Sequence, residues 1–287
     1  RVQANRIWAR MFGRGLVETE EDFGRQGTVP THPELLDALA ARWLADEGRL
    51  RPFLKRLLMT EAWRRTSTAT PEGLAADPRN DRLARFPRVR LEPEVLRDQA
   101  LAVSDLLVRT KHGPPVYPPQ PDGVWRSPYN DARWTNSTGD DRFRRSVYTY
   151  WKRTAPHPTM TLFDAPSREV CTSRRLATNT PLQALVGLND PIFQEAALGF
   201  GRRIQGLSGD DRAQLAEGFR LLTGRAPTML EVQRLQDTLD QARRHYADRP
   251  EEAAAFVAAF AEARRVKVDR EMSAEEESAW ALVASVV

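Results

Sequence analysis

Apolar positions recur with helical spacing along most of the chain. His32-Pro33-Glu34 puts a proline at a first helical position and a carboxylate in the first turn. Behind it Leu35, Leu36, Leu39 and Trp43 share one face, and Gly48 closes the segment. Phe53, Leu54, Leu57 and Leu58 form a second stripe up to Trp63, and Val95, Leu96, Val103, Leu106 and Leu107 a third after Pro93. Thr180-Pro181 and Asp190-Pro191 each join a cap residue to an N1 proline, which predicts two helices over 180–204 with a bend near Asn189. Thr228-Met229-Leu230-Glu231 and Ser273-Ala274-Glu275-Glu276 carry capping-box spacing, so helices start at 228 and 273. Only Val147-Tyr148-Thr149-Tyr150-Trp151 is β-branched and aromatic enough for a short strand. The expected fold is mainly α: an irregular multi-helix domain with at most a small β hairpin or edge strand.

The helical pattern fails between Thr110 and Arg145. Pro114, Pro115, Pro118, Pro119, Pro121 and Pro128 crowd that stretch together with Trp125, Tyr129 and Trp134. Loops of this length inside compact domains are usually functional or disordered, and the aromatics argue against simple disorder. Charge adds a division: residues 1–205 hold 32 basic and 24 acidic groups, whereas 206–287 hold 11 and 15. The sign changes near Gly206. This predicts a main helical domain over 1–205, containing the Pro-rich loop 110–145 and a polar cluster at 164–180, followed by a helical subdomain over 206–287. The sequence opens without methionine inside one helical pattern and stops at Val287 inside another, so a piece of a longer protein, truncated at 287, is expected.

Composition excludes several classes. No apolar run approaches the roughly 18 residues of a membrane span, so no transmembrane segment is expected in this chain. A single cysteine excludes an internal disulfide, a cysteine-rich zinc site and covalent c-type haem. The basic residues are almost all arginine, with lysine only at 55, 111, 152 and 267.

The densest polar cluster is Asp164, Arg168, Glu169, Cys171, Thr172, Arg174, Arg175 and Asn179, ahead of the helix capped by Thr180. Guanidinium forks at Arg168, Arg174 and Arg175, with the free N–H groups after Thr180, suit a carboxylate, sulfate or phosphate. The same arginines could instead tie the loop down through Asp164, Glu169 and Asp190. Cys171 between cations is either an activated thiol or a packed one, and no histidine phrase of a Cys–His enzyme accompanies it. Metal binding has only weak local candidates, Asp22 with His32 and His157 with Asp164, and no metal site is expected. The adjacent carboxylates Asp140–Asp141 and Asp210–Asp211 read as solvated. Finally, Trp125, Tyr129, Trp134, Tyr148, Tyr150 and Trp151 alternate with Arg126, Arg133, Arg142, Arg144, Arg145, Lys152 and Arg153. That composition fits either a platform for sugar rings or aromatics pinning the loop to the core. Nothing matches a nucleic-acid-binding motif, and no nucleic-acid partner is expected.

A series of phrases resembles one known family. They are Arg-Val-Gln-Ala-Asn-Arg-Ile-Trp (1–8), Phe-Gly-Arg-Gly-Leu-Val (12–17), Thr-His-Pro-Glu-Leu-Leu-Asp (31–37), Arg-Leu-Glu-Pro-Glu-Val-Leu-Arg-Asp (90–98), Phe-Asp-Ala-Pro-Ser-Arg-Glu-Val-Cys-Thr (163–172), Thr-Asn-Thr-Pro-Leu-Gln-Ala-Leu (178–185) and Leu-Asn-Asp-Pro (188–191). Together they resemble the planctomycete PSD family, a domain of unknown function. The resemblance implies a domain of large exported proteins lying C-terminal to a cytochrome-c-like domain, hence a periplasmic or secreted location. Any haem would then belong to an upstream domain, with no cofactor in this chain. The resemblance supplies no catalytic residues. The resulting expectation is an extracytoplasmic module that binds other domains of its own polypeptide or an anionic polysaccharide. The alternative is a polysaccharide-processing enzyme using Asp164 or Glu169 beside an arginine anion site.

Overall fold

The computed structural model describes residues 1–125, 133–268 and 271–287. Among them the chain is 54% helical and contains no strand. Its contacts divide it into two compact units, residues 1–90 with 170–175, and residues 91–169 with 176–287. Gly206, where the net charge changes sign, therefore lies inside the second unit.

The first unit is built from α1 (Val2–Phe12), α2 (Pro33–Ala45), α3 (Leu50–Leu58), α4 (Glu61–Arg64) and α5 (Pro71–Ala76). Helix α1 buries Ala4, Ile7, Trp8 and Phe12, an i, i+3, i+4, i+8 face. Trp8 stacks on Phe12 at 4.1 Å, and Phe12 meets Trp63 edge-on at 5.9 Å. Asn5 is wholly buried on the same helix, and its amide pairs with both polar groups of Val17, donating at 3.0 Å and accepting at 2.9 Å. A side chain thus stands in for a neighbouring backbone and fixes the Leu16–Val17 turn. Gly13 ends α1 with φ +75, and a Cβ there would lie 2.6 Å from Val89.

The second unit centres on α10. It comprises α6 (Pro93–Val103), α7 (Gly139–Arg142), α8 (Pro158–Leu162), α9 (Pro181–Asn189), α10 (Pro191–Gln205), α11 (Asp211–Thr223), α12 (Met229–Ala247), α13 (Pro250–Ala259) and α14 (Ala274–Val286), with 3-10 turns at Ser146–Tyr148 and Ala261–Arg265. Ile204 of α10 packs with the fully buried Leu239 of α12 and Trp280 of α14, and Leu198 joins a second cluster with Leu101, Phe143 and Ala281. The approach of α10 to α14 is close because Gly201 faces the main chain of Trp280 and Ala281, where a Cβ would meet backbone atoms at 2.9 Å. Beside it, buried Arg202 donates to Glu277 at 2.6 Å and to the Val266 carbonyl at 3.0 Å, and Arg264 reaches the same carboxylate at 3.1 Å.

The caps fall where the sequence places them. Thr180 and Thr228 form complete capping boxes with Gln183 and Glu231, Asp190 caps α10, and Ser273 caps α14. Two expectations are corrected. The third stripe does not continue to Leu107, because α6 ends at Val103 and Asp105 takes φ +60; the Leu106 and Leu107 amides then both donate to the Leu101 carbonyl. Residues 147–151 form no strand: they begin as a 3-10 turn and make only an isolated parallel bridge, Val116 with Thr149. β-Propensity needs a pleated partner, and Val147 has none, being 66% exposed.

Candidate functional site

The polar cluster at 164–180 is divided between the two units. Cys171, Arg174 and Arg175 fall in the first unit, whereas Asp164, Arg168, Glu169, Asn179 and Thr180 fall in the second. Arg174 pairs with Glu21 at 3.5 Å, and Cys171 is an exposed thiol. Asp164, in the left-handed region, accepts from the Thr178 amide at 2.8 Å, from its hydroxyl at 2.9 Å and from Gln183 at 3.3 Å. Its carboxylate closes a loop. Arg168 lies over the Trp151 ring at 4.6 Å, and the Glu169 amide donates to the Ser167 hydroxyl. Thr180 is committed to the capping box. Asp190, expected to hold an arginine, instead accepts from Thr159 at 2.6 Å and from the Ile192 amide.

The aromatic residues do assemble. Tyr117 stacks on Tyr150 at 5.0 Å, and Trp134 touches Tyr117, Trp125, Tyr150 and His157. Both indole N–H groups are spent on main-chain carbonyls, Trp125 on Ala155 at 2.7 Å and Trp134 on Pro118 at 2.9 Å. Lys152 sits over the Trp125 ring at 5.9 Å. Half-buried rings whose donors bind backbone staple the Pro-rich loop. Arg126, Pro128 and Tyr129 lie outside the described residues. His157 is buried beneath Trp134, and neither ring nitrogen makes a hydrogen bond of good geometry. Burial, then the charge of Arg97, lowers its pKa to about 4; the nearby Pro118 carbonyl offsets this only in part. Among the described residues no group of three His, Cys, Asp or Glu side chains is placed to hold a metal.

Arg97, which the sequence does not single out, organises the neighbouring backbone. From the buried face of α6 it donates to the Arg144 carbonyl at 2.8 Å, the Ser146 hydroxyl at 3.2 Å and the Arg142 carbonyl at 2.8 Å. Burial lowers its pKa to about 10, which leaves it charged at neutral pH. Arg142 in turn pairs with buried Glu195 at 2.7 Å, and burial raises the Glu195 pKa despite that partner. Asp98, one residue along α6, accepts from the Ser146 amide at 2.6 Å and from Arg145 at 3.0 Å. Arg144 donates to the His112 and Pro114 carbonyls and lies 4.2 Å over the Tyr148 ring. The His112 amide donates to the Tyr148 hydroxyl at 2.8 Å.

These bonds shape a cleft of about 450 Å³ on the outer side of α6. Val95, Asp98, Gln99 and Ala102 line it at i, i+3, i+4 and i+7, a stripe distinct from the buried Arg97 and Leu101. Leu107 and Tyr148 complete the walls, and Arg109, Lys111 and Arg145 stand around it. Arg145 is paired with Asp98, whereas Arg109 and Lys111 have no hydrogen-bond or ion-pair partner among the described residues. A volume of this size with an apolar floor and a few convergent polar groups suits a small ligand. Of these residues the sequence singles out Tyr148 and Arg145 as part of the aromatic-basic stretch. Asp98, Arg109 and Lys111 were visible only as members of a helix and a loop.

A family model described as PSD1, protein of unknown function (DUF1553), matches residues 1–239. No curated protein and no solved structure matches the chain.

Proposed function

The chain belongs to the PSD1 family of unknown function, and from that premise we propose that it is a binding module whose α6 cleft takes an anionic glycan. The observation that carries this reading is the pair of cations, Arg109 and Lys111, without a partner among the described residues, at a cleft lined by Val95, Ala102 and Leu107. Guanidinium and ammonium donors hold an acid group, and aliphatic side chains cover the C–H face of a sugar ring. Exposed ion pairs contribute about 0–1 kcal/mol each, so a single sugar unit binds only weakly. Useful affinity for a polymer then comes from several units or several modules.

The family resemblance supports a role outside the cytoplasm, beside other domains of the same polypeptide. Asp164 serves this function by closing its loop, and Arg168 by covering Trp151, rather than by contacting ligand.

Titration of the full chain with neutral and acidic oligosaccharides, followed by NMR or calorimetry, tests the proposal. Acidic sugars should bind and neutral ones should not. Arg109→Ala and Lys111→Ala should each weaken binding by about fivefold, and salt should weaken it further. Equal binding of neutral and acidic sugars, or affinity unchanged in both variants, overturns it.

A further inference from the structure

The anionic half of the cleft carries its own message. Asp98 lies on the same stripe of α6 as Val95 and Ala102, and its side chain keeps 15% of its surface exposed at the cleft. Each carboxylate oxygen accepts one bond from the protein, from the Ser146 amide or from Arg145, and each retains a further lone pair. Arg145 is matched by Asp98, so it offers no net charge to a second acid group. Arg109 and Lys111 offer two charges with no carboxylate paired to them among the described residues.

We propose that the cleft selects a sugar unit carrying one acid group and free hydroxyls, a uronate-type unit, and rejects densely sulfated or phosphorylated ones. Asp98 is the specificity-determining residue. The inference rests on the reading of the cleft as a site for an anionic glycan. A carboxylate of the sugar lies between Arg109 and Lys111. Its ring hydroxyls donate to the free lone pairs of Asp98, and its C–H face covers Val95, Ala102 and Leu107. A sulfate in place of such a hydroxyl presents no donor and sets a negative group against a carboxylate that is already fixed in place. Like-charge juxtaposition of this kind is the repulsive element that turns general anion affinity into selectivity.

The test compares a galacturonate disaccharide with a polysulfated disaccharide on the full chain, wild type and two variants, by calorimetry with thermal unfolding as a control. Wild type should prefer the uronate by about tenfold, the scale of one like-charge contact at a partly exposed site. Asp98→Asn keeps an oxygen acceptor for the Ser146 amide and removes the charge. It should reduce the preference to about twofold, by tightening the polysulfated sugar. Arg145→Gln removes the neutralising partner from an exposed position and should move the preference the other way, above that of wild type. The opposite signs separate charge selection from loss of fold. Equal or tighter binding of the polysulfated sugar to wild type overturns the inference while leaving the anionic-glycan reading standing. An unchanged preference in both variants does the same. If neither sugar binds, that reading falls and this inference with it.

Discussion

His157 shows how one side chain can be set by its surroundings against its own chemistry. It is fully buried below Trp134 with no hydrogen bond of good geometry at either nitrogen, so its neutral form prevails in the fold, with a pKa near 4. The unfolded chain carries an ordinary imidazole, near 6.5. Between those values the unfolded state binds more protons, so this residue makes stability fall as pH drops below about 6.5. Asp190 and Glu195, whose pKa values burial raises, act with the opposite sign. Comparison with His157→Phe isolates the histidine: urea unfolding at pH 7 should find the two proteins within about 1 kcal/mol. At pH 5 the wild type should be the weaker by about 2 kcal/mol. Equal pH slopes for the two proteins would refute the buried neutral imidazole. The sequence suggested His157 only as a weak local metal candidate with Asp164, because a lone histidine carries no signal of how deeply it is buried.

At the scale of elements, punctuation was legible and packing was not. Proline at N1 with Thr or Asp before it marked α9 and α10, and capping-box spacing marked α12 and α14, since these signals rest on local bonds within a few residues. Thr228→Ala should therefore cost about 1 kcal/mol in chemical denaturation. Pro181→Ala should cost less than about 1 kcal/mol, because an N1 proline only preorganises one residue; a loss of about 3 kcal/mol, the size of a helix-interior effect, would contradict that. Gly201 is different. Alanine there gains about 0.5–1 kcal/mol of helix propensity, yet its Cβ would meet the backbone of Trp280 and Ala281, which cannot turn aside. Overpacking costs about 1–3 kcal/mol, so Gly201→Ala should destabilise on balance. The expected strand at 147–151 failed for the corresponding reason: its residue types were right, but among the described residues its only ladder contact is the single bridge of Thr149 to Val116.

The whole molecule is organised by contacts between residues far apart in the chain. Residues 170–175 belong with 1–90 rather than with their immediate neighbours, which divides a polar cluster that looked continuous. The core of the second unit includes Trp280 and Ala281, beyond the family match that ends at 239. There Glu277 holds Arg202 from 75 residues away and Arg264 from 13. Glu277→Ala would leave buried Arg202 without its carboxylate, and denaturation should show a loss of about 3–5 kcal/mol, with Glu277→Gln less affected. A loss below about 1 kcal/mol would mean that solvent replaces the pair. By itself the sequence determined the helical class, most helix starts and the family, because periodicity and capping act over a few residues and the family phrases are local strings. Tertiary structure alone decided which charges were spent. It set Arg168 over Trp151 and Arg174 on Glu21, and among the described residues it left Arg109 and Lys111 unpaired at the cleft that Asp98 also lines. The reason is physical: whether a charge is available to a ligand depends on partners brought near by folding, and no local pattern encodes that distance.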